Sequence, residues 1–137
     1  MGPWSRLRRR CRGDRGDASV QMAIVFPFVI IVTVAVVQAS QWYFAREIAL
    51  TAAREGLAAA RTYGAGPGDG AARARSVLNR IAGDSLRGAA VSTAGSDGQR
   101  IRIQVSGRAP SMLPGIADLT ITQSASGPVE RWTTPGS

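Results

Sequence analysis

The chain has 137 residues and a net charge of +8 at pH 7, because 17 basic residues, all of them arginine, outnumber nine acidic ones. It contains no histidine and a single cysteine, which excludes a histidine-based catalytic triad, the usual zinc-site spacings and an intramolecular disulfide. We therefore expect a non-enzymatic protein with no metal or other cofactor. A chain of this length can form one small domain.

The N-terminal segment is strongly basic. Residues 1–17 hold six arginines and two aspartates, and glycines and a proline interrupt them. Because this segment has no apolar face with which to join a core, we predict a disordered, basic cytoplasmic leader. A basic cluster directly before a long apolar segment is typical of a signal for membrane orientation, so we expect no nucleic-acid partner.

A long apolar segment follows the leader. Residues 18–45 carry no formal charge, and Thr33 is the only polar side chain between Met22 and Val37. About 20 apolar residues in a helix cross the hydrocarbon core of a bilayer. We therefore predict a transmembrane helix over 18–45, in which Pro27 is tolerated because it lies near the start of the apolar run.

The flanks of this segment predict its orientation. The arginines of the leader favour a cytoplasmic N-terminus, and Trp42, Tyr43 and Phe44 form an aromatic triplet that suits the membrane interface. The chain is thus expected to be a single-pass cell-membrane protein whose C-terminal domain lies outside the membrane. An alternative stays open, because Val37-Gln38-Ala39 also resembles a signal-peptidase site. Cleavage there would release a secreted protein that begins at Ser40.

The rest of the chain predicts a small α+β domain outside the membrane. The predicted domain covers residues 46–126, and a frayed tail follows at 127–137. In chain order, the parts of the domain are a helical continuation over 46–63, a glycine-rich linker at 64–70, a second amphipathic helix at 71–87, and strands at about 89–94, 100–107 and 118–124. The three strands should pair as an antiparallel sheet with one apolar face, which the two helices cover.

The periodicity also identifies the residues that should face this core. The predicted apolar face of the first helix consists of Ile48, Ala49, Ala52, Ala53, Gly56, Leu57 and Ala60, that of the second of Ala74, Val77, Leu78 and Ile81, and that of the best strand of Ile101, Ile103 and Val105. Small side chains allow another element to approach closely. The alanine-rich face is therefore suited to packing under its own sheet or to a homo- or hetero-oligomer.

The junction between leader and apolar run carries a family resemblance. An Arg15-Gly16 pair is followed by small residues, an apolar run with the early proline Pro27, and an aromatic triplet that passes into an alanine-rich helix. This order resembles the TadE-like family of the tight-adherence, or Flp-type, pilus machinery over about residues 15–60. The resemblance implies prepilin-peptidase cleavage between Gly16 and Asp17, which would make Asp17 the first mature residue.

The same resemblance implies a function. It points to a non-enzymatic pseudopilin-like component of a pilus assembly or secretion system, whose partners are the membrane bilayer, pilus assembly or other pseudopilin subunits, and a prepilin peptidase. The family usually has glutamate at the fifth position after the glycine, where this chain has Gln21. Glutamine can form a hydrogen bond with a neighbouring subunit's N-terminal amine but provides no charge.

Two alternatives to the pseudopilin interpretation follow from these observations. Because of Gln21, the chain could be a bitopic membrane-anchored envelope protein that binds a partner through its outer domain, without leader cleavage or filament incorporation. A small secreted enzyme that begins at Ser40 is the other, although the sequence shows no catalytic constellation for it. The three interpretations predict three different N-terminal residues: Asp17, Met1 and Ser40.

Overall fold

The structure is a computed structural model that describes residues 4–131, with side chains described from residue 16 onward. Its elements in chain order are α1 (Trp4–Ala60), α2 (Pro67–Ile81), β1 (Arg87–Ser92), β2 (Arg100–Ala109) and β3 (Leu119–Pro128). A long N-terminal helix, a second helix and a three-stranded antiparallel sheet confirm the predicted α+β class. The chain divides into two compact units, Met1–Val37 and Gln38–Ser137.

The first unit is helical from Trp4, so the expectation of a disordered leader is wrong for residues 4–17. Two physical reasons account for the difference. Arginine is a good helix former, and the apolar run already supplies the helical nucleus that is costly to form in an isolated peptide. Glycine lowers helix stability by about 1 kcal/mol at each of positions 13 and 16, but it does not end the helix.

The apolar run of α1 pairs its one side-chain hydroxyl within the helix. The Thr33 hydroxyl donates a hydrogen bond to the carbonyl of Val29, at 2.8 Å. The helix also continues through Pro27, whose ring nitrogen has no hydrogen to donate to the carbonyl of Ala23. The single hydroxyl of the apolar run is therefore bonded within the helix, which is a requirement for a segment placed in lipid.

The second unit is built around the central strand β2. The sheet order is β1-β2-β3, and both pairs are antiparallel. Burial alternates along β2, as predicted, with Ile101, Ile103 and Val105 all at most 2% exposed. The opposite face of this strand carries exposed or half-buried residues such as Arg102 and Gln104. One face of the meander is therefore apolar, and the two helices cover it.

The second half of α1 contributes an alanine-rich face to this core, as the periodicity predicted. The buried residues are Ala45, Ile48, Ala49, Ala52, Ala53, Gly56 and Ala60, with Leu57 packed partly buried beside them. Their small size allows the helix to lie close to other backbone. A Cβ built on Gly56 would be 2.7 Å from the carbonyl oxygen of Gly70, and one built on Gly70 would be 2.6 Å from the carbonyl oxygen of Gly56. Helices α1 and α2 thus touch backbone to backbone.

Helix α2 begins and ends earlier than predicted, at Pro67 and Ile81. The start differs because proline is preorganised for the first helical position, and the Asp69 carboxylate accepts a hydrogen bond from the Gly66 N–H at 2.9 Å. The glycine-rich linker therefore ends at Gly66. Burial of Ala74, Val77 and Leu78 is confirmed, whereas Ile81 is 42% exposed because Ala82, just past the helix, takes the buried position.

The C-terminal segment is more ordered than expected. Strand β3 continues to Pro128, beyond the predicted end at residue 124, so a tail that frays from residue 127 is wrong for the described part. The Arg61 guanidinium holds this segment, because its Nε donates to the carbonyl of Pro128 at 3.1 Å and its Nη2 pairs with Glu130 at 3.0 Å. The predicted fraying of residues 132–137 lies outside the described residues.

The glycine contact between the helices can be tested with a matched pair of substitutions in α2. Gly70→Ala should lower the free energy of unfolding by about 1–3 kcal/mol, because the new methyl group meets backbone that cannot move aside. Gly68→Ala has open space around it and should stabilise the helix by about 0.5–1 kcal/mol. Urea unfolding of the full chain in detergent, followed by circular dichroism, measures both. Equal stability of the two variants would contradict the close contact.

The turn between β1 and β2 gives a pH-dependent prediction. Asp97 Oδ1 accepts hydrogen bonds from the N–H groups of Gln99 and Arg100, both at 2.7 Å, and these bonds lower the pKa of its carboxyl group. A lowered pKa in the folded state stabilises the fold above the ordinary value of about 4 and loses that effect as the pH falls through the folded pKa. The stability advantage of wild type over Asp97→Asn should therefore be constant near neutrality and shrink below about pH 4. Parallel pH curves would contradict this account.

Candidate functional site

The predicted cleavage bond lies in an uncovered part of α1. Gly16 and Asp17 are both exposed, and a Cβ built on Gly16 would have no heavy atom of the described structure within 4 Å. The bond is nevertheless part of the helix, so a peptidase must first open it locally. Glycine makes that opening less costly because it is a poor helix former. The junction therefore combines access with a weakened helical turn.

Gln21 lies one helical turn after Asp17. The spacing of four residues places the two side chains on the same face of α1, and both are exposed. The Gln21 amide offers one acceptor oxygen and two donor hydrogens, but no charge. This face can therefore accept a hydrogen bond from an amine, and it lacks the ion pair that a glutamate would form with a protonated one.

The apolar run presents its side chains outward. The exposed large hydrophobic residues in this unit are Val20, Met22, Ile24, Val25, Phe26, Phe28, Val29, Ile30, Ile31, Val32, Val36 and Val37. By length and composition, α1 from Gly16 onward is the one helix of the described residues that is apolar enough to cross a membrane. Transfer of such a side chain from water to an apolar environment is favourable by about 1.5–3 kcal/mol when burial is complete.

The aromatic triplet does not act as a single group. Trp42 packs against the core of the second unit, and its Nε1 is buried without a hydrogen-bond partner among the described residues. Tyr43 and Phe44 are instead exposed, at 67% and 56%. Trp42 and Tyr43 line one side of a groove of about 440 Å³, together with Arg46, and the first half of β3 lines the other side. Two of the three predicted interfacial side chains are thus available to an interface.

A contact that the sequence did not reveal lies where the apolar run ends. Gln38 is only 2% exposed, and its side chain binds the backbone of the β2–β3 loop on both sides. Its Nε2 donates to the carbonyl of Pro110 at 3.2 Å, and its Oε1 accepts from the N–H of Met112 at 2.7 Å. No sequence pattern indicates this pairing, because its partners are more than 70 residues apart and no periodicity links them. The glutamine holds the loop against α1.

Comparison with known proteins bears on the first part of this site. Residues 16–57 match the family model of the TadE-like proteins. The match confirms the resemblance inferred from the junction, and it begins at Gly16, the residue predicted to precede the cleavage bond. No curated protein and no solved structure matches the chain.

The TadE-like region lies entirely within α1. The matched region contains the junction, the apolar run and the alanine-rich face as far as Leu57, all within α1. Helix α2 and the sheet lie beyond it. The match thus associates the chain with Tad pilus-related proteins through α1, including the helix that is apolar enough to cross a membrane.

The role of Gln38 gives a prediction with a neighbouring control. Gln38→Leu should cost about 1–3 kcal/mol, because the Met112 N–H and the Pro110 carbonyl, both part-buried, lose the two hydrogen bonds that the amide makes. Amide exchange at Met112 should accelerate, since its N–H loses its acceptor. Gln41→Leu is the control, because the Gln41 amide donates to the sulfur of Met112, at 3.0 Å, and sulfur is a weak acceptor. Hydrogen–deuterium exchange of the peptide 110–118 measures both variants, and unchanged exchange in Gln38→Leu would contradict the assignment.

Proposed function

We propose that the chain is a non-enzymatic, single-pass pseudopilin-like component of a tight-adherence, Flp-type pilus assembly or secretion system. The observation that carries the proposal is the TadE-like match, which starts at Gly16 and includes the exposed apolar run. In this function the N-terminus is cytoplasmic, α1 crosses the cell membrane, and the unit from Gln38 onward lies outside. The partners are the bilayer, a prepilin peptidase and other pilus assembly subunits.

The energetics of the apolar run support membrane placement. Twelve large hydrophobic side chains between Val20 and Val37 are exposed. Even if each gains only half of the usual burial energy, the bilayer stabilises the run by on the order of 10 kcal/mol. A helix that is apolar on all sides is expected in a membrane or a large core.

Processing of the leader follows from the junction. We propose that a prepilin peptidase cleaves between Gly16 and Asp17, which removes the six arginines of the leader and creates a new N-terminal amine on Asp17. That amine lies four residues before Gln21, on the same helical face. Cleavage therefore produces the group that a Gln21 side chain on a neighbouring subunit could bind.

The processing step is tested by the mass of the protein extracted from membranes of cells with an active prepilin peptidase. Wild type should begin at Asp17, and Gly16→Leu should retain the leader, because leucine is a much better helix former than glycine and makes local opening of the helix at the bond more costly. Gly13→Ala is the matched control, since it changes a leader glycine away from the bond and should still begin at Asp17. A wild-type protein that begins at Met1 would exclude the processed form, and one that begins at Ser40 would support release by signal peptidase.

The assembly role of Gln21 has its own test. Gln21→Glu should increase cross-linking between processed subunits, because a carboxylate forms an ion pair with the protonated amine, whereas the amide of glutamine only accepts a hydrogen bond from it. Gln21→Leu should reduce cross-linking, since it removes the acceptor. Cross-linking in isolated membranes, quantified against the amount of processed protein, gives the comparison. The same yield for all three proteins would show that residue 21 has no part in assembly.

Gln21 favours a second candidate function, that of a bitopic membrane anchor. A bitopic anchor that binds an envelope partner through its outer unit needs neither cleavage nor a charge at position 21, and glutamine is cheaper than glutamate to keep in lipid. Affinity purification from membranes distinguishes the two functions. Recovery of pilus ATPase or platform proteins would support the pseudopilin, whereas a different stable partner, together with an intact leader, would support the anchor.

A further inference from the structure

We propose that the β2–β3 loop, residues 110–118, is a second membrane contact, which places its apolar side chains in the interfacial layer of the bilayer that α1 crosses. The inference depends on the membrane placement in the proposed function. It concerns a part of the chain that lies outside the TadE-like region. Its occupant is lipid, in the headgroup and upper acyl layer.

Gln38 determines where along α1 the loop lies. This residue directly follows Val37, the last residue of the apolar run, and its buried amide binds the loop backbone at Pro110 and Met112. Gln41, almost one turn later, contacts the Met112 sulfur. The loop is therefore attached to α1 at the point where the chain leaves the apolar run. Any bilayer that surrounds that run ends near the same point.

Of the seven exposed large apolar side chains in the described part of the second unit, five lie on the loop, at the start of β3 or on α1 within two turns of Gln38, whereas Tyr63 and Ile81 lie elsewhere. The interfacial patch consists of Tyr43, Phe44, Met112, Ile116 and Leu119, each at least 43% exposed. Tyr43 of α1 and Leu119, the first residue of β3 directly after the loop, line the same groove. Aromatic and long aliphatic side chains are the residue types that settle at a membrane interface.

The other end of the sheet provides the contrast. The turn between β1 and β2, residues 93–99, contains threonine, alanine, glycine, serine, aspartate and glutamine, with no large apolar side chain. Both connections are seven to nine residues long and join antiparallel strands. Only the connection attached to Gln38 has methionine, leucine and isoleucine. Large apolar side chains are therefore specific to the connection at the Gln38 end of the sheet and are not shared by both connections.

Several polar groups of the loop are paired within it, which lowers the cost of placing the loop in a less hydrated layer. Its one charged residue, Asp118, accepts a hydrogen bond from the Ser111 N–H at 3.0 Å, and the Ser111 hydroxyl exchanges hydrogen bonds with the backbone of Leu113. Arg46 lies in the adjacent groove, where a guanidinium can bind the phosphate of a lipid headgroup. The surroundings of the patch thus match the layered chemistry of a bilayer surface.

Quenching by spin-labelled lipid tests the proposal directly. Full-length protein carrying Cys11→Ser and one new cysteine, Ile116→Cys, is labelled with an environment-sensitive fluorophore and reconstituted alone into phosphatidylcholine–phosphatidylglycerol vesicles. Ala94→Cys, in the turn at the opposite end of the sheet, is the matched control. Val32→Cys, in the apolar run, reports whether α1 enters the bilayer.

We expect a shallow spin label on the lipid to lower the fluorescence at position 116 about twofold or more, as for an interfacial site, with little change at position 94. Quenching at position 32 without quenching at 116 would overturn the proposal while the membrane anchor stands. Absence of quenching at both 32 and 116 would overturn the membrane placement and the loop contact together. A spectral shift at 116 that depends on protein density, without lipid quenching, would indicate a second copy on the patch and would also overturn the proposal.

Discussion

The backbone contact between α1 and α2 at Gly56 and Gly70 sets the packing of the outer unit. Both glycines lie against Ile103 in the middle of the central strand, so a single buried side chain supports the point at which the two helices meet. A larger residue at either glycine would separate the helices and leave unfilled space over β2. Close approach also explains why the face of α1 is made of alanine, since bulky residues would raise the helix off the sheet. The short distance between α1 and α2 at these glycines therefore sets how both helices pack on the sheet.

In the proposed function, helix α1 serves two environments with one continuous element. Before Gln38 its side chains are large, apolar and exposed, which suits lipid, whereas from Ala45 onward its buried face is small and opposes a sheet. In the proposed function the change occurs at the membrane surface. Gln38 and Gln41 lie at this transition, and their amide side chains bind the β2–β3 loop where the helix leaves the apolar run.

Much of the fold could be predicted because its signals are local. The alternating pattern around Ile103 identified β2, and the alanine spacing identified the buried face of α1. The start of α2 was missed because the glycine-rich segment was interpreted as a linker, although Pro67 followed by Asp69 is a helix-start signal. The helical conformation of residues 4–17 was missed because a low apolar content was equated with disorder, and the helix that follows was ignored.

The candidate site likewise contains some residues that could be predicted from the sequence and others that could not. Gly16, Asp17, Gln21 and Pro27 could be identified from their order along the chain, and all four lie within the TadE-like region, residues 16–57. The Gln38 contact could not, because its partners are distant in sequence and a glutamine carries no periodic signal. Trp42 likewise could not be separated from Tyr43 and Phe44 without the packing, since side chains on neighbouring helix positions point to different faces.

The central claim is that one helix serves two environments, with the transition at Gln38. Hydrogen–deuterium exchange along α1 in lipid nanodiscs, without and with urea, tests it most directly. The account predicts that amides of residues 20–37 stay protected in both conditions, because lipid excludes water from them. Amides of residues 38–60 should lose protection as urea unfolds the sheet that covers them. Loss of protection in both segments at the same urea concentration would contradict the claim.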